Sequence, residues 1–113
     1  RTVVSMDQLS PYRVLHHGVT VHEFRMDDVP GQVDADLVRR AATVARDAMD
    51  EGPVLVHCQA GLNRSGLIAA AALVLGGHTP GSAVSVLRSR RSPAVLCNAD
   101  FHRHVLTLRP PET

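Results

Sequence analysis

The sequence predicts an α/β domain with a small, mostly parallel sheet flanked by helices. Strand-like segments alternate with helical ones over the first two thirds of the chain, and helical patterns alone follow. The segment Val54–His57 (VLVH) is almost continuously apolar, which is typical of a strand buried on both faces of a parallel sheet. The 113 residues suffice for one modest core, so we expect residues 1–113 to form a single domain.

Two further strands are predicted before this one, at residues 2–6 (TVVSM) and 19–26 (VTVHEFRM). The connector between them contains Pro11 and ends at Gly18, which indicates a loop. A second loop is predicted at DDVPGQVD, because Asp, Pro and Gly favour turns. It follows directly on the strand at 19–26.

The first two helices are predicted on either side of the apolar strand. The first has Asp34 as its N-cap, apolar residues at helical spacing, and a stop at Gly52. The second begins at Ser65 or Gly66 and is apolar on all faces until Gly76. An all-apolar helix of this kind is expected to lie in the core.

Two more helices complete the predicted fold. Thr79 and Pro80 form a cap followed by proline at the first helical position, and this helix runs to about Arg91. Asn98 is the predicted N-cap of the last helix, which carries Phe101 on its apolar face.

Composition excludes several classes of function. The net charge of +1 gives no electrostatic case for nucleic acid or an anionic membrane, and the apolar run 66–77 is too short to span a bilayer. Cys58 and Cys97 are far apart without a signal peptide, which indicates free thiols and a cytoplasmic location. His102 and His104 diverge on a helix, so we expect no metal site.

The loop between the apolar strand and the apolar helix is the candidate active site. It leaves the carboxyl end of a strand, where parallel α/β folds bind ligands, and enters a helix N-terminus with unpaired N–H groups. Gly61 allows a tight turn that aims further amides inward, as an anion-binding nest does. Such a cradle suits a phosphate group.

Cys58 and Arg64 give this loop its chemistry. Amides, the helix dipole and a guanidinium all favour the thiolate, and in such surroundings a cysteine pKa falls from about 8.5 to roughly 3.5–7.5. The planar fork of Arg64 matches two phosphate oxygens. The pattern therefore predicts attack of a thiolate on phosphorus, through a cysteinyl-phosphate intermediate.

The sequence HCQAGLNRSG (residues 57–66) resembles the H-C-x-x-G-x-x-R-S/T signature of cysteine-based protein tyrosine phosphatases. It is most similar to the small dual-specificity branch, and RRSPAVLCNADF (residues 90–101) resembles the segment that leads into that branch's last helix. The branch usually has an additional strand and helix before the segment TVVSM. The resemblance thus implies a dual-specificity-phosphatase-like fold without these N-terminal elements.

The resemblance also assigns roles to individual residues. Cys58 is the nucleophile, Arg64 clamps the phosphate, Ser65 hydrogen-bonds the sulfur and helps it leave, and His57 lies behind the nucleophile and organises the loop. The phosphate-binding loop consists of Gln59, Ala60, Gly61, Leu62, Asn63 and Arg64. The implied substrates are phosphotyrosine, and also phosphoserine and phosphothreonine, on proteins, with no metal or other cofactor.

The general acid is expected in the loop after the second strand. In the family, two inward-pointing apolar residues precede the acid by four and two positions, and Phe24 and Met26 fit this pattern for Asp28. The corresponding residues before Asp27 are charged. Asp28 also precedes Cys58 by thirty positions, as the family's acid does. The prediction is therefore Asp28, with Asp27 as the alternative.

Other functions remain open at this point. Asn63 precedes Arg64, as in the related RNA 5′-triphosphatases, although the weak net charge argues against nucleic acid. Phosphoinositide phosphatases usually have basic residues inside the loop, and here those positions are uncharged. A phosphate-binding pseudophosphatase and a rhodanese-like sulfurtransferase are the remaining alternatives.

Four residues outside the loop are predicted to be structural. Cys97 is expected to be a small buried hydrophobe near the last helix. Arg88, Arg90 and Arg91 are expected to form a solvated helix end, because cations are favourable near a helix C-terminus.

Overall fold

The computed structural model describes residues 2–5, 20–24, 33–52, 54–57 and 63–109. The elements in chain order are β1 (Thr2–Ser5), β2 (Thr20–Glu23), α1 (Ala35–Met49), β3 (Val54–His57), α2 (Arg64–Leu75), α3 (Pro80–Arg90) and α4 (Ala99–Thr107). None of the helices in these ranges is long and apolar enough to cross a membrane.

The three described strands pair in parallel, with β1 between β2 and β3. Ser5 at the end of β1 is opposite both Glu23 and His57, the last residues of its two neighbours. The carboxyl ends of the strands therefore meet at one edge, and the segments after β2 and β3 both leave from it. The α/β class is confirmed, and the arrangement of any remaining strands stays a prediction.

Helix α1 begins after its predicted cap, and it ends at Met49, three residues before the predicted stop at Gly52. The Asp34 carboxylate accepts a hydrogen bond from the backbone N–H of Leu37 at 3.0 Å, so it caps the helix as expected. The helix packs against α2, β1 and β3, and its buried residues are mainly small, namely Val38, Ala41, Ala42 and Ala45. Small side chains let the two helices approach closely.

Helix α2 is the centre of the core. It contacts α1, α3, α4 and β3, and this explains why its sequence is apolar on all faces. Its side chains Leu67 and Ile68 are fully buried, together with Phe101 and Val105 from α4. The helix begins at Arg64, one residue before the predicted start.

The predicted caps of α3 and α4 are also confirmed. The Thr79 hydroxyl accepts from the N–H of Ser82 at 3.2 Å, with Pro80 as the first helical residue. The Asn98 side chain accepts from the N–H groups of Asp100 and Phe101 at 3.0 and 3.2 Å.

Two predictions are wrong at the connection between α3 and α4. Cys97 is exposed, not buried. Arg88 is half-buried, and its Nε donates to the carbonyl oxygen of Val95 at 2.9 Å. The carbonyl groups of a turn have no helical or sheet ladder to join, and this guanidinium supplies a donor inside the fold. Arg90 and Arg91 are exposed, as expected for a solvated helix end.

Candidate active site

The strand and the helix that flank the candidate site are where the sequence places them. β3 ends at His57 and α2 begins at Arg64, so the candidate loop joins the carboxyl end of the strand to the N-terminus of the helix. Several predicted site residues lie outside the described residues, namely Cys58, Gln59, Ala60, Gly61, Leu62, Asp27 and Asp28, as does the side chain of His57. Their roles stay predictions.

The chain length permits the predicted general-acid loop to reach the carboxyl end of β3. β2 lies two strands from β3, a distance of about 10 Å at the usual strand spacing. Asp28 follows Glu23, the last residue of β2, by five positions, which span at most about 17 Å. A carboxylate at 27 or 28 can therefore reach a group bound at the end of β3.

The N-terminus of α2 is arranged to receive an anion. Arg64 is its first residue and is half-buried, so its position is restricted by the protein around it. The first turn contains no acidic residue that would neutralise the helix dipole. The guanidinium side chain and the positive end of the helix dipole both belong to this first turn, and a helix start of this kind favours an anion.

Ser65 is the polar residue that is buried in the described part of the chain, with only 3% of its surface exposed. A hydroxyl in such a position is held by hydrogen bonds and does not face bulk water. This burial is compatible with the predicted contact to the sulfur of Cys58, and that contact stays a prediction.

Sequence reasoning missed how closely residues 92–98, here named the α3–α4 turn, pack against the start of α2. A Cβ atom added to Gly66 would lie 3.0 Å from Cγ1 of Val95 and 3.5 Å from Cγ of Leu96. A glycine inside an otherwise apolar helix was the available signal, since such a residue often marks close backbone approach.

Asn63 has a wider role than the loop signature alone indicates. It is the N-cap residue of α2, yet its side chain makes no capping bond to that helix. Its Oδ1 instead accepts from the backbone N–H of Asn98 at 2.8 Å and from the Cys97 thiol at 3.5 Å. The last loop position before Arg64 is therefore tied to the α3–α4 turn.

A separate cavity of about 530 Å³ lies between α1, α2 and α4. Its lining includes Val38, Leu75, His104 and Leu108. Leu75 is the last residue of α2 and lies about 16 Å from Arg64 along the helix axis. The cavity is therefore near the C-terminal end of α2, whereas Arg64 is at the N-terminal end. It is not part of the candidate active site. Burial lowers the pKa of His104 from its ordinary value.

The sequence family described as dual specificity phosphatase, catalytic domain, matches residues 5–109. The chain belongs to this family. The match confirms the resemblance to the dual-specificity branch of the cysteine-based protein tyrosine phosphatases. The match spans nearly the whole chain and includes the segment of the predicted phosphate-binding loop.

Among relatives of this dual specificity phosphatase domain is the Dictyostelium discoideum protein named "Probable protein tyrosine phosphatase type IVA B". It is 34% identical over 88 residues, which cover 72% of this chain and 52% of the relative. The domain thus spans about half the length of the curated protein that it matches.

Solved structures of phosphatases share the fold. Human DUSP28 superposes with a TM-score of 0.74 at 19% identity, covering 93% of this chain and 76% of its own. OH1 of the Orf virus, a tyrosine phosphatase, gives a TM-score of 0.67 at 23% identity and covers 93% and 67%. At these identities the likeness shows the fold alone.

In the part of the chain that the structure describes, no group of three or more His, Cys, Asp or Glu residues is placed to hold a metal ion.

Proposed function

We propose that this domain hydrolyses phosphate monoesters on proteins, with phosphotyrosine as the first substrate and phosphoserine and phosphothreonine as further ones. The observation that carries the proposal is the placement of Arg64. It begins a buried helix, and it follows the strand that ends at His57 by a loop that starts with Cys58. Thiolate, amides and guanidinium would meet there around one phosphate group.

The first chemical step forms a sulfur–phosphorus bond. The Cys58 thiolate attacks phosphorus in line with the ester oxygen, while Arg64 and the loop amides bind the three equatorial oxygens. The phosphorus–oxygen bond to the substrate breaks as Asp28 donates its proton to the leaving oxygen. The products are cysteinyl-phosphate and the free phenol or alcohol.

The second step regenerates the enzyme. The carboxylate of Asp28 removes a proton from a water molecule that attacks phosphorus, and the phosphorus–sulfur bond breaks. The buried Ser65 would donate a hydrogen bond to the departing sulfur, so the charge on the thiolate is stabilised as it forms. Inorganic phosphate leaves, and no metal ion takes part.

The family gives partial support to the choice of substrate. The Dictyostelium relative is named as a protein tyrosine phosphatase, and OH1 is described as a tyrosine phosphatase with triple substrate specificity. Activity on phosphotyrosine is therefore common to the two descriptions. A wider range of substrates is compatible with the description of OH1. The partner is then a phosphorylated protein. We infer a cytoplasmic location, where thiols stay reduced.

An RNA 5′-triphosphatase activity is the alternative that one residue favours. Asn63 precedes Arg64, which is the arrangement noted above for that enzyme class. The net charge of +1 provides little attraction for an RNA backbone.

The test is a substrate panel in the presence of EDTA, with phosphotyrosine and phosphothreonine peptides, phosphoinositides and triphosphate-ended RNA. We expect the highest kcat/KM with phosphotyrosine peptides, and a loss of turnover in the variant Cys58→Ser with an unchanged circular dichroism spectrum. Preference for triphosphate-ended RNA or phosphoinositides would overturn the substrate assignment. Retention of most of the activity by Cys58→Ser would overturn the nucleophile.

A further inference from the structure

The α3–α4 turn (residues 92–98) is fastened at two points by side chains from other elements. At one point Asn63, beside the phosphate-binding loop's arginine, accepts the N–H of Asn98 at 2.8 Å. At the other point Arg88 of α3 donates to the carbonyl oxygens of Val95 and Leu96, at 2.9 and 3.4 Å. The two fastenings lie on opposite sides of Cys97.

The first fastening is well placed to fix the end of the phosphate-binding loop. The backbone carbonyl of Asn63 accepts the N–H of Leu67 at 2.8 Å, which is the first hydrogen bond of α2. Its side chain is held by Asn98, whose own side chain caps α4. Asn63 thereby connects the N-termini of α2 and α4. The position of its backbone fixes the start of α2 and with it the position of the Arg64 backbone.

The second fastening holds the turn at a residue with an uncommon backbone conformation. Leu96 has a φ of 60°, in the left-handed region that non-glycine residues rarely occupy. Val95 and Leu96 are buried, with 0% and 1% of their surfaces exposed. The guanidinium of Arg88 donates to the carbonyl oxygens of Val95 and Leu96, which lie before and after the N–H of Leu96. These two hydrogen bonds hold the backbone conformation of Leu96. Val95 in turn packs against Gly66, in the first turn of α2.

We propose that Asn63 and Arg88 are positioning residues for the phosphate-binding loop, and that Arg88 acts through the α3–α4 turn. The proposal rests on the phosphatase function proposed above. It assigns a positioning role to Asn63, which belongs to the loop, and to Arg88, which contacts the turn that Asn63 binds. The physical reason is preorganisation, because donors held in place before the reaction cost no reorganisation in the transition state.

The test compares Asn63→Ala and Arg88→Met with the wild type. For an aryl phosphate we expect kcat to fall by about 10- to 100-fold, with KM changed by less than about threefold. Vanadate, which resembles the five-coordinate transition state, should bind more weakly by the same factor as kcat/KM, while inorganic phosphate should bind almost as before. Arg88→Lys, which keeps the charge but lacks the fork, should lie between Arg88→Met and the wild type.

The matched control is Arg90→Met, two positions away on the same helix and exposed. It should leave kcat and vanadate affinity unchanged. If Arg88→Met lowers only the melting temperature and leaves both quantities at the wild-type value per folded molecule, Arg88 is merely structural and the proposal is overturned.

A double variant tests whether the two residues act through one segment. Because both hold the α3–α4 turn, the combined loss of vanadate affinity should be smaller than the product of the two separate losses. Independent, multiplicative losses would contradict action through a shared turn.

Vanadate titration also separates this proposal from the proposed function. A wild type that binds vanadate without turnover, while both variants bind it more weakly, would remove the phosphatase function and leave the positioning role. Turnover by the wild type with unchanged vanadate binding in both variants would support the phosphatase function and overturn the positioning role. A wild type that neither binds vanadate nor turns over would overturn both.

Discussion

Gly66 in α2 and Val95 in the α3–α4 turn lie so close together that a side chain at position 66 would make an unusually tight contact with Val95. A Cβ atom at position 66 would lie 3.0 Å from Cγ1 of Val95. Arg64 begins the same helical turn, so the α3–α4 turn packs against the start of the helix that carries Arg64. The absence of a side chain at 66 is thus part of how the site is built.

The variant Gly66→Ala should be destabilised. The new methyl group must displace Val95, which is fully buried, and overpacking of this kind costs about 1–3 kcal/mol. The better helix propensity of alanine offsets up to about 1 kcal/mol. We expect urea denaturation to show a net loss of about 1–2 kcal/mol in the free energy of unfolding.

Gly81→Ala is the control for that measurement. Gly81 lies in α3, and a Cβ atom added there would have no neighbouring atom within 4 Å, so alanine meets no obstacle. It should raise the free energy of unfolding by about 0.5 kcal/mol. Equal effects of the two substitutions would show that the contact at position 66 carries no strain.

Asp28→Ala should slow the cleavage of esters that need a protonated leaving group. For a phenyl phosphate whose phenol is weakly acidic, kcat is expected to fall by about 10²–10⁴-fold, and much less for p-nitrophenyl phosphate. The dependence of kcat on the leaving-group pKa would become steeper for the same reason. Steady-state kinetics over a series of aryl phosphates measures both effects.

Asp27→Ala provides the comparison for the general acid. This variant should keep kcat within about threefold of the wild type over the whole series. A larger loss for Asp27→Ala than for Asp28→Ala would exchange the two assignments.

His104 should make the protein less stable in mild acid. Burial lowers the pKa of its imidazole in the folded state below the value of about 6.5 expected for an unfolded chain. The unfolded state therefore binds more protons between the two pKa values, so this group's contribution makes stability rise with pH there. The penalty is complete below the folded pKa and is absent well above 6.5.

The variant His104→Gln should show a smaller rise in the free energy of unfolding between about pH 5 and about pH 7.5 than the wild type. Urea denaturation at several pH values measures this slope. A wild-type slope in His104→Gln would refute the assignment to His104.

Much of the fold could be predicted because its signals are local. The caps at Asp34, Thr79 and Asn98 are recognised from one residue and the few that follow it, and all three form the expected hydrogen bonds. The strand Val54–His57 and the all-apolar helix after it are recognised from hydrophobic pattern alone. The signature from Cys58 to Arg64 predicts the family, which the match over residues 5–109 confirms.

The errors occur where distant segments meet. Arg88 is expected in solvent because cations are favourable at helix ends, but it bonds to carbonyl groups seven and eight positions later. Cys97 is expected in the core because cysteine is often buried, but it is exposed beside Asn63, 34 positions away in the chain. The sequence around Arg88 does not indicate its carbonyl partners, and the sequence around Cys97 does not indicate its contact with Asn63.

The sequence by itself determined the α/β class, the helix caps and the family of the signature loop, because each depends on residues within one or two turns of one another. Only the tertiary structure decided what supports the start of α2. The packing of the α3–α4 turn against Gly66, and the hydrogen bonds from it to Asn63 and Arg88, join segments that the chain brings together only on folding. Hydrophobic periodicity specifies which face of an element is buried, whereas the partner of each polar group depends on where the other elements come to lie.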